Sequence, residues 1–292
     1  MRRITFIVNP ISGGKDKGNV LAAIGRHLDL TGFSYEVLPT RAPGDGTLLA
    51  RESCSDIVVA VGGDGTVSEV ARGLLGTDKA LGIIPCGSGD GLALHLGISR
   101  KVRKAVAVLN AGHTVPMDCA TVDGEPFFCT TGVGLDAITA WKFARSPRRG
   151  IGTYIAKAWE TWHGFVPDTY TLDVDGHRLE TPAVIVTVGN ANQWGNQARI
   201  TSLASVTDGE LDVAVVLPFK TLEIPLLAAK LLCGRAHTSR RVKMLRGRHI
   251  TLSRTREGPA HADGDPCLKG TRMRIDILPA ALRVVAPKDR KI

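Results

Sequence analysis

No two of the six cysteines stand in CxxC spacing, which excludes a zinc ribbon and a dithiol redox motif. They read as reduced, partly buried thiols of a cytoplasmic protein. No stretch approaches the ~20 apolar residues of a membrane-spanning helix. The most apolar region, residues 224–232, is short and contains Lys230. A Walker GxxxxGK[ST] loop is absent, and no GxGxxG follows the first apolar run, which weakens a dinucleotide reading. The histidines show no metal-ligand spacing, and no internal repeat or low-complexity linker is present. Nor is there a recognition helix, zinc knuckle or stacking motif of a nucleic-acid reader. Acidic residues are outnumbered: 28 Asp plus Glu face 37 Lys plus Arg, a formal net charge of +9. Nucleic acid, a membrane surface or a phosphorylated substrate would each suit that excess.

What is present is a globular composition, 43% hydrophobic over 292 residues, long enough for one large or two moderate domains. Asn9 and Pro10 interrupt the first apolar run too early for a secretion signal, so a buried strand starting at residue 3 or 4 is expected. Residues 1–115 alternate strand signals (4–8, 34–38, 56–61, 80–84) with helical ones (20–28, 48–52, 66–75), the rhythm of a parallel sheet covered by helices. After residue 115 short strands are expected at 118–122, 127–131, 170–174, 184–188, 210–216, 250–253, 272–277 and 282–286. Asp123-Gly124 and Asp175-Gly176 give hairpin turns there. Helical stretches at 153–162 and 222–232 interrupt them. The expected architecture is an α/β N-terminal domain, residues 1–115, and a β-rich C-terminal sandwich, residues 116–292, whose last segment returns to the first domain.

Three glycine-bearing loops follow strands of the first domain. They are Asn9-Pro10-Ile11-Ser12-Gly13-Gly14-Lys15, Gly62-Gly63-Asp64-Gly65-Thr66 and Pro85-Cys86-Gly87-Ser88-Gly89-Asp90. Glycine lets backbone N–H groups approach phosphate oxygens, and a following helix adds its positive end. Loops at the carboxyl ends of neighbouring parallel strands share one crevice, where such sheets bind ligands. The plain alternative for the second loop is a tight strand-to-helix turn with Asp64 as a cap.

Taken in order, NPISGGK, GGDGTVSEVARGL, LGIIPCGSGDGLALHLGI, TDGELDV and HADGDP resemble the motifs of the diacylglycerol kinase catalytic-domain family, over essentially the whole chain. That family includes sphingosine and ceramide kinases and soluble bacterial lipid kinases. Its N-terminal half is similar to NAD kinases and 6-phosphofructokinases. The resemblance implies two domains with ATP and catalysis at their cleft, and transfer of the ATP γ-phosphoryl group to a lipid hydroxyl with Mg²⁺. It implies that Asn9, Ser12, Gly62, Gly63, Asp64, Gly65, Thr66, Glu69, Gly87 and Ser88 line the nucleotide, with Asp64 among phosphates and Mg²⁺. Asp263 corresponds to the general base, and Asp265 stands where the family more often has Glu. Asp208, with carbonyls of Ser205 and Glu210, corresponds to a structural metal site. Asp136 lies where sphingosine kinases place an acid near the lipid headgroup, or else stabilises a local turn.

Phosphoryl transfer depends on positioning and charge neutralisation, and an Asp can accept the proton of the attacking hydroxyl. Asp263 and Asp265 can share roles only if Gly264 bends the chain between them. On residues alone, Ala262-Asp263-Gly264-Asp265-Pro266 is a plain surface turn. The family's third motif usually has Asn where this chain has Asp90, so a charge replaces an amide near the expected phosphates, or caps a helix beginning near Leu92. Ser88 is closer to the sphingosine kinase version, too small a difference to assign the lipid. His261, two residues from Asp263, reads as a satisfied turn histidine or as a group that tunes the site.

A lipid acceptor calls for an apolar cavity, expected between the sheets of the second domain. Residues 141–165 combine three tryptophans, Tyr154 and two phenylalanines with Lys142, Arg145, Arg148 and Arg149, which suits a membrane interface or a core-facing helix beside a solvated loop. Residues 235–256 carry eight Lys or Arg and no acid, a patch for anionic lipid or a solvated strand face. The expectation is a cytoplasmic lipid kinase with peripheral membrane association, acting on diacylglycerol or a sphingoid base, with no nucleic-acid partner and with a homodimer left open. The rival readings are a soluble NAD-kinase-like phosphotransferase and a catalytically silent nucleotide- or lipid-binding protein.

Overall fold

The structure is a computed structural model that describes residues 1–13, 16–147 and 150–288. Gly14, Lys15, Arg148 and Arg149, singled out above, lie outside the described residues. The chain divides into two compact units, Met1–Asp118 with the segment from Pro279 onward, and Cys119–Leu278.

The first unit alternates β1 (Arg2–Val8), α1 (Lys17–His27), β2 (Phe33–Pro39), α2 (Asp45–Glu52), β3 (Ile57–Gly62), α3 (Asp64–Leu74) and β4 (Ala80–Pro85), followed by α4 (Gly91–His95) and α5 (Val102–Ala111). The strands are parallel in the order β2-β1-β3-β4. β3 and β4 are buried along their whole length, as their unbroken apolar sequences require when helices cover both faces. The chain leaves β1 towards β2, then crosses back to β3 and β4. With right-handed crossovers this reversal puts α1 and α5 on one face and α2 and α3 on the other. The strand order therefore switches between β1 and β3, the place where an open α/β sheet offers its carboxyl edge to a ligand. α5 has no counterpart in the sequence reading. α3 starts at Asp64 rather than at 66, so Asp64 and Gly65 form its first turn.

The second unit contributes β6 (Glu125–Phe127), β7 (Thr130–Gly134), α6 (Leu135–Ala144), α7 (Ile151–Trp162), β8 (Asp168–Val174), β9 (His177–Ala183), β10 (Ile185–Gly189), β11 (Leu211–Val216), α8 (Ile224–Leu232), β12 (Val242–Gly247), β13 (His249–Arg254), β14 (Gly258–Ala262) and β15 (Asp265–Lys269). Two strands, β5 (Thr114–Val122) and β16 (Arg272–Val285), carry residues of both units. A six-stranded antiparallel sheet runs β12-β11-β10-β7-β14-β15. Facing it, β16 pairs with β13, β13 with β8 and β8 with β9, all antiparallel. The end of β16 aligns parallel to β4 through Arg283 and Val284.

Two expectations for this region change. The strand at 127–131 is two strands, β6 and β7, interrupted at Phe128 and Cys129. The strands at 272–277 and 282–286 are one, with Ala280 at φ 50 as its irregular residue and its N–H donating to Asp118 at 2.7 Å. The alternating inward residues of both sheets fill the sandwich: Val186, Val188, Leu211, Val213 and Val215 meet Leu172, Ile250, Leu252, Met273 and Ile275. This packed core corrects the cavity expected between the sheets. A second apolar cluster lies on the opposite face of the six-stranded sheet. There Ile185, Ala214, Val216 and Val242 pack with Leu135, Trp162, Phe165, Phe219, Leu227 and Leu231.

Candidate active site

The glycine loops after β1, β3 and β4 close on one another, backbone to backbone. Gly13 has φ +61, and a Cβ there would stand 1.7 Å from the Cys86 carbonyl oxygen. A Cβ on Gly87 would meet the Gly63 Cα at 2.6 Å. The Asn9 N–H donates to the Val61 carbonyl at 3.2 Å and the Cys86 N–H to the Gly62 carbonyl at 2.7 Å. Only glycine permits that approach. Asn9 turns its Oδ1 to the Ile11 N–H at 3.1 Å, and the Ser12 hydroxyl donates to the Asn9 carbonyl at 3.1 Å. Lys17 donates to the Ser12 carbonyl. Gly63 is the N-cap of α3 and offers no side-chain cap, and Gly65 is exposed, so the first turn of α3 presents backbone donors at the switch point.

Asp64 braces this assembly. Its Oδ2 accepts the Asp90 N–H at 2.8 Å and its Oδ1 the Gly91 N–H at 2.6 Å. It thus caps α4 as a neighbour from another loop, rather than standing open as a metal ligand. Asp90 occupies the N-cap position of α4 at φ 49 but makes no cap bond. Its carboxylate accepts the Gly87 N–H at 2.8 Å and pairs with Arg100 Nε at 2.9 Å. Arg100 also donates to the carbonyls of Ser88 at 2.9 Å and Gly89 at 2.7 Å. The charge that replaced an amide is therefore neutralised within the chain, and Ser88 itself is exposed. Arg100→Ala leaves the nearly buried Asp90 without its counter-charge, so a raised KM for the nucleotide and a loss of about 1–3 kcal/mol of stability are expected. Adding Asp90→Asn should restore both, because an amide needs no counter-charge. Kinetics and denaturant titration of the single and double variants check this, and a double variant no better than the single would reject the clamp.

Two predicted nucleotide contacts are placed elsewhere. Glu69 accepts the N–H groups of Gly44 at 2.9 Å and Gly46 at 3.0 Å, capping α2 instead of facing a ligand. Thr66 is buried, with its Oγ1 2.3 Å from where a Gly62 Cβ would be, so it shapes the loop from behind. Thr40, passed over by the sequence reading, extends β2 at the same carboxyl edge through its N–H bond to Val8 at 2.9 Å. The Pro/Gly-rich turn that follows it was the available signal.

In the second unit Asp263 sits in the tight turn joining β14 to β15, at φ 52 beside Gly264 at φ 87. Gly264 does bend the chain, and the turn is more than a surface loop. The Asp263 carboxylate accepts the N–H groups of Phe128 at 2.9 Å, Cys129 at 2.7 Å and Thr130 at 3.2 Å. Phe128 and Cys129 lie in the break between β6 and β7, and Thr130 opens β7. Asp265 is exposed at the start of β15, opposite Ala262.

His261 is not a turn residue. It lies buried on β14, and its Nε2 is 3.1 Å from Asp136 Oδ2 on α6. Thr187 donates to the same oxygen at 3.4 Å, and Gly132 leaves room for the pair, since a Cβ there would meet His261 Nε2 at 3.1 Å. Burial, with the charge of Asp136 behind it, pushes the Tyr154 phenol well up. A buried polar cluster of Asp136, His261 and Thr187 thus lies on the same sheet face as the second apolar cluster. The basic cluster of 141–165 is partly spent: Lys142 pairs with Glu160 at 3.2 Å, and Arg145 stacks 3.8 Å over the Trp141 ring.

The proposed metal residues fit a different cation. The Arg246 guanidinium pairs with Asp208, reaches Glu210 at 3.4 Å and lies 3.5 Å from Asp212. Asp208 Oδ1 accepts the Glu210 N–H at 3.2 Å, and the Ser205 hydroxyl turns to Thr207 at 3.2 Å. Among the described residues no group of three or more His, Cys, Asp or Glu is arranged to hold a metal ion. The carboxylates of Asp208 and Glu210 are paired with a guanidinium. Asp212, fully buried on β11, has its carboxyl pushed up to about 6, chiefly by burial, against the pull of Arg246 and with Asp208 and Glu210 adding to the rise. The sequence reading missed Asp212 because β11 reads as a plain buried strand.

Comparison with known proteins agrees with this layout. The family model for the diacylglycerol kinase catalytic domain matches residues 3–122, and that for the YegS C-terminal NAD kinase beta sandwich-like domain matches residues 129–286. A diacylglycerol kinase of Bacillus subtilis is 25% identical over 91% of this chain and 90% of its own. A probable lipid kinase YegS-like of Klebsiella pneumoniae is 27% identical over 88% of both. A crystal structure of a putative diacylglycerol kinase from Bacillus anthracis superposes with TM-score 0.80 at 25% identity over 98% of both chains. An NAD kinase from Archaeoglobus fulgidus in complex with ATP shares the fold, with TM-score 0.56 at 12% identity.

Proposed function

This chain belongs to the diacylglycerol kinase catalytic-domain family and is a lipid kinase, and on that premise we propose that it transfers the γ-phosphoryl group of ATP to a hydroxyl of a membrane lipid. The observation that carries this reading is the backbone closure of three glycine loops at the carboxyl edge of β1, β3 and β4. The N–H groups of that edge and of the first turn of α3 hold the phosphates, with Asn9, Ser12, Gly63 and Gly87 as the loop residues and Asp64 as their brace. When bound with the triphosphate, Mg²⁺ would supply neutralisation of its charge. In the second unit the acceptor hydroxyl donates to Asp263, whose carboxylate three N–H groups hold in one orientation. The hydroxyl oxygen bonds to γ-phosphorus, the bond to the β-phosphate oxygen breaks, ADP leaves, and the hydroxyl proton passes to Asp263. Asp136 with His261 receives the polar end of the acceptor, and its acyl chain lies along the apolar cluster under α6, α7 and α8.

The test is incubation with labelled ATP, Mg²⁺ and mixed micelles of diacylglycerol, sphingoid base or ceramide. Labelled lipid is expected. Labelled NADP from NAD without labelled lipid would overturn the acceptor assignment, and bound nucleotide with no transfer would make the protein a silent binder.

A further inference from the structure

α8 is apolar almost all round, IPLLAAKLL, yet none of its residues is buried. Its inward side, Leu227 and Leu231, packs on the second apolar cluster. Its outward side is a stripe at helical spacing: Leu222 just before the helix is 92% exposed, Leu226 64% and Leu232 57%, with Pro225 and Ala229 exposed between them. Leucine on a helix face that meets only water gains nothing from folding, so this stripe adds no stability to the chain alone.

The charge around the stripe selects its occupant. Between Leu217 and Gly247 the single acid is Glu223. That acid is clamped by Arg241 through bonds of 2.8 and 3.0 Å. Exposed Lys220 precedes the helix and exposed Arg235 follows it, with Arg240 and Lys243 beyond. None of these four makes an ion pair among the described residues. An apolar stripe bracketed by unpaired cations matches acyl chains below and anionic headgroups around. TM-type insertion is not involved, because no helix among the described residues is long and apolar enough to cross a membrane.

We propose that the outward face of α8, from Leu222 to Leu232, is the docking surface for an anionic lipid bilayer, lying in its interface with Lys220 and Arg235 on the headgroups. This deepens the lipid-kinase reading, since the bilayer is where its acceptor resides, but it rests on the geometry of α8 alone.

The test is co-sedimentation of the full chain with phosphatidylcholine vesicles with and without phosphatidylglycerol. Leu222→Ser/Leu226→Ser should lower the partition coefficient by at least about tenfold. Lys220→Glu/Arg235→Glu should lower binding only to the anionic vesicles, and salt should weaken it likewise. Phosphorylation of a water-soluble short-chain acceptor should be unchanged in both variants. Binding of the leucine variant equal to the native protein overturns the proposal. So does a native dimer that the leucine variant dissociates while vesicle binding persists, which would assign the stripe to a second copy. Loss of short-chain activity in the leucine variant would show that α8 acts through the fold, which also overturns it. A native protein that phosphorylates no lipid, yet binds vesicles through α8, would retain the docking surface and reject the kinase reading.

Discussion

Asp263→Asn should lower phosphoryl transfer by roughly 10²–10⁴-fold and also cost about 2 kcal/mol of stability. Both effects come from one geometry. The carboxylate is the proposed acceptor of the hydroxyl proton, and it is also the partner of the N–H groups of Phe128, Cys129 and Thr130. An amide accepts through one oxygen only, so its NH₂ group must face at least one of those donors. Nucleotide affinity should stay close to native, since the glycine loops belong to the first unit. Kinetics, nucleotide binding and denaturant unfolding of the same variant separate the roles. A destabilised but active enzyme would leave Asp263 structural, and a stable, active one would remove it from both.

Arg246→Met should destabilise the fold by about 2–3 kcal/mol at neutral pH, less than the usual loss for a broken buried pair because Arg246 itself is 42% exposed. The loss falls on Asp212, which then has no counter-charge beside Asp208 and Glu210. The pH dependence has a definite sign. Asp212 stands at about 6 against an ordinary 3.8, so the folded state holds its proton more tightly than the unfolded chain. Its contribution makes stability fall as pH rises from about 4 to about 6 and stay low above that. Without Arg246 its carboxyl moves further up, so the deficit of the variant should shrink on acidification. Urea unfolding across that range checks it, and a deficit independent of pH would acquit Asp212. Stabilisation of the native protein by Mg²⁺ would show a divalent ion displacing the guanidinium, against the assignment made for this cluster.

The motifs were legible because they are local. Gly62 to Thr66 after DIVVAV announces a strand, a loop and a helix, and Asp123-Gly124 and Asp175-Gly176 announce hairpins; both dipeptides have positive φ at each residue. What the sequence could not show was what each side chain would touch. Glu69 lies in a nucleotide motif but caps α2, and Asp90 looked like a stray charge until Arg100 met it. α6 went unseen because its apolar residues are not confined to one stripe, which leaves no helical period to read.

Local order along the chain thus determined the parallel sheet, its glycine loops, the β-rich second half and the family. Their signals are strand–turn–helix patterns within a few residues. Tertiary structure decided the rest, because its contacts join residues far apart in sequence. Asp136 and His261, 125 residues apart, become a buried pair. A break between β6 and β7 is completed by the carboxylate of Asp263. The absence of any CxxC pair or spanning apolar run fixed early what this protein is not. Only folding showed that the one strongly apolar stretch, residues 224–232, would turn half of its leucines outward.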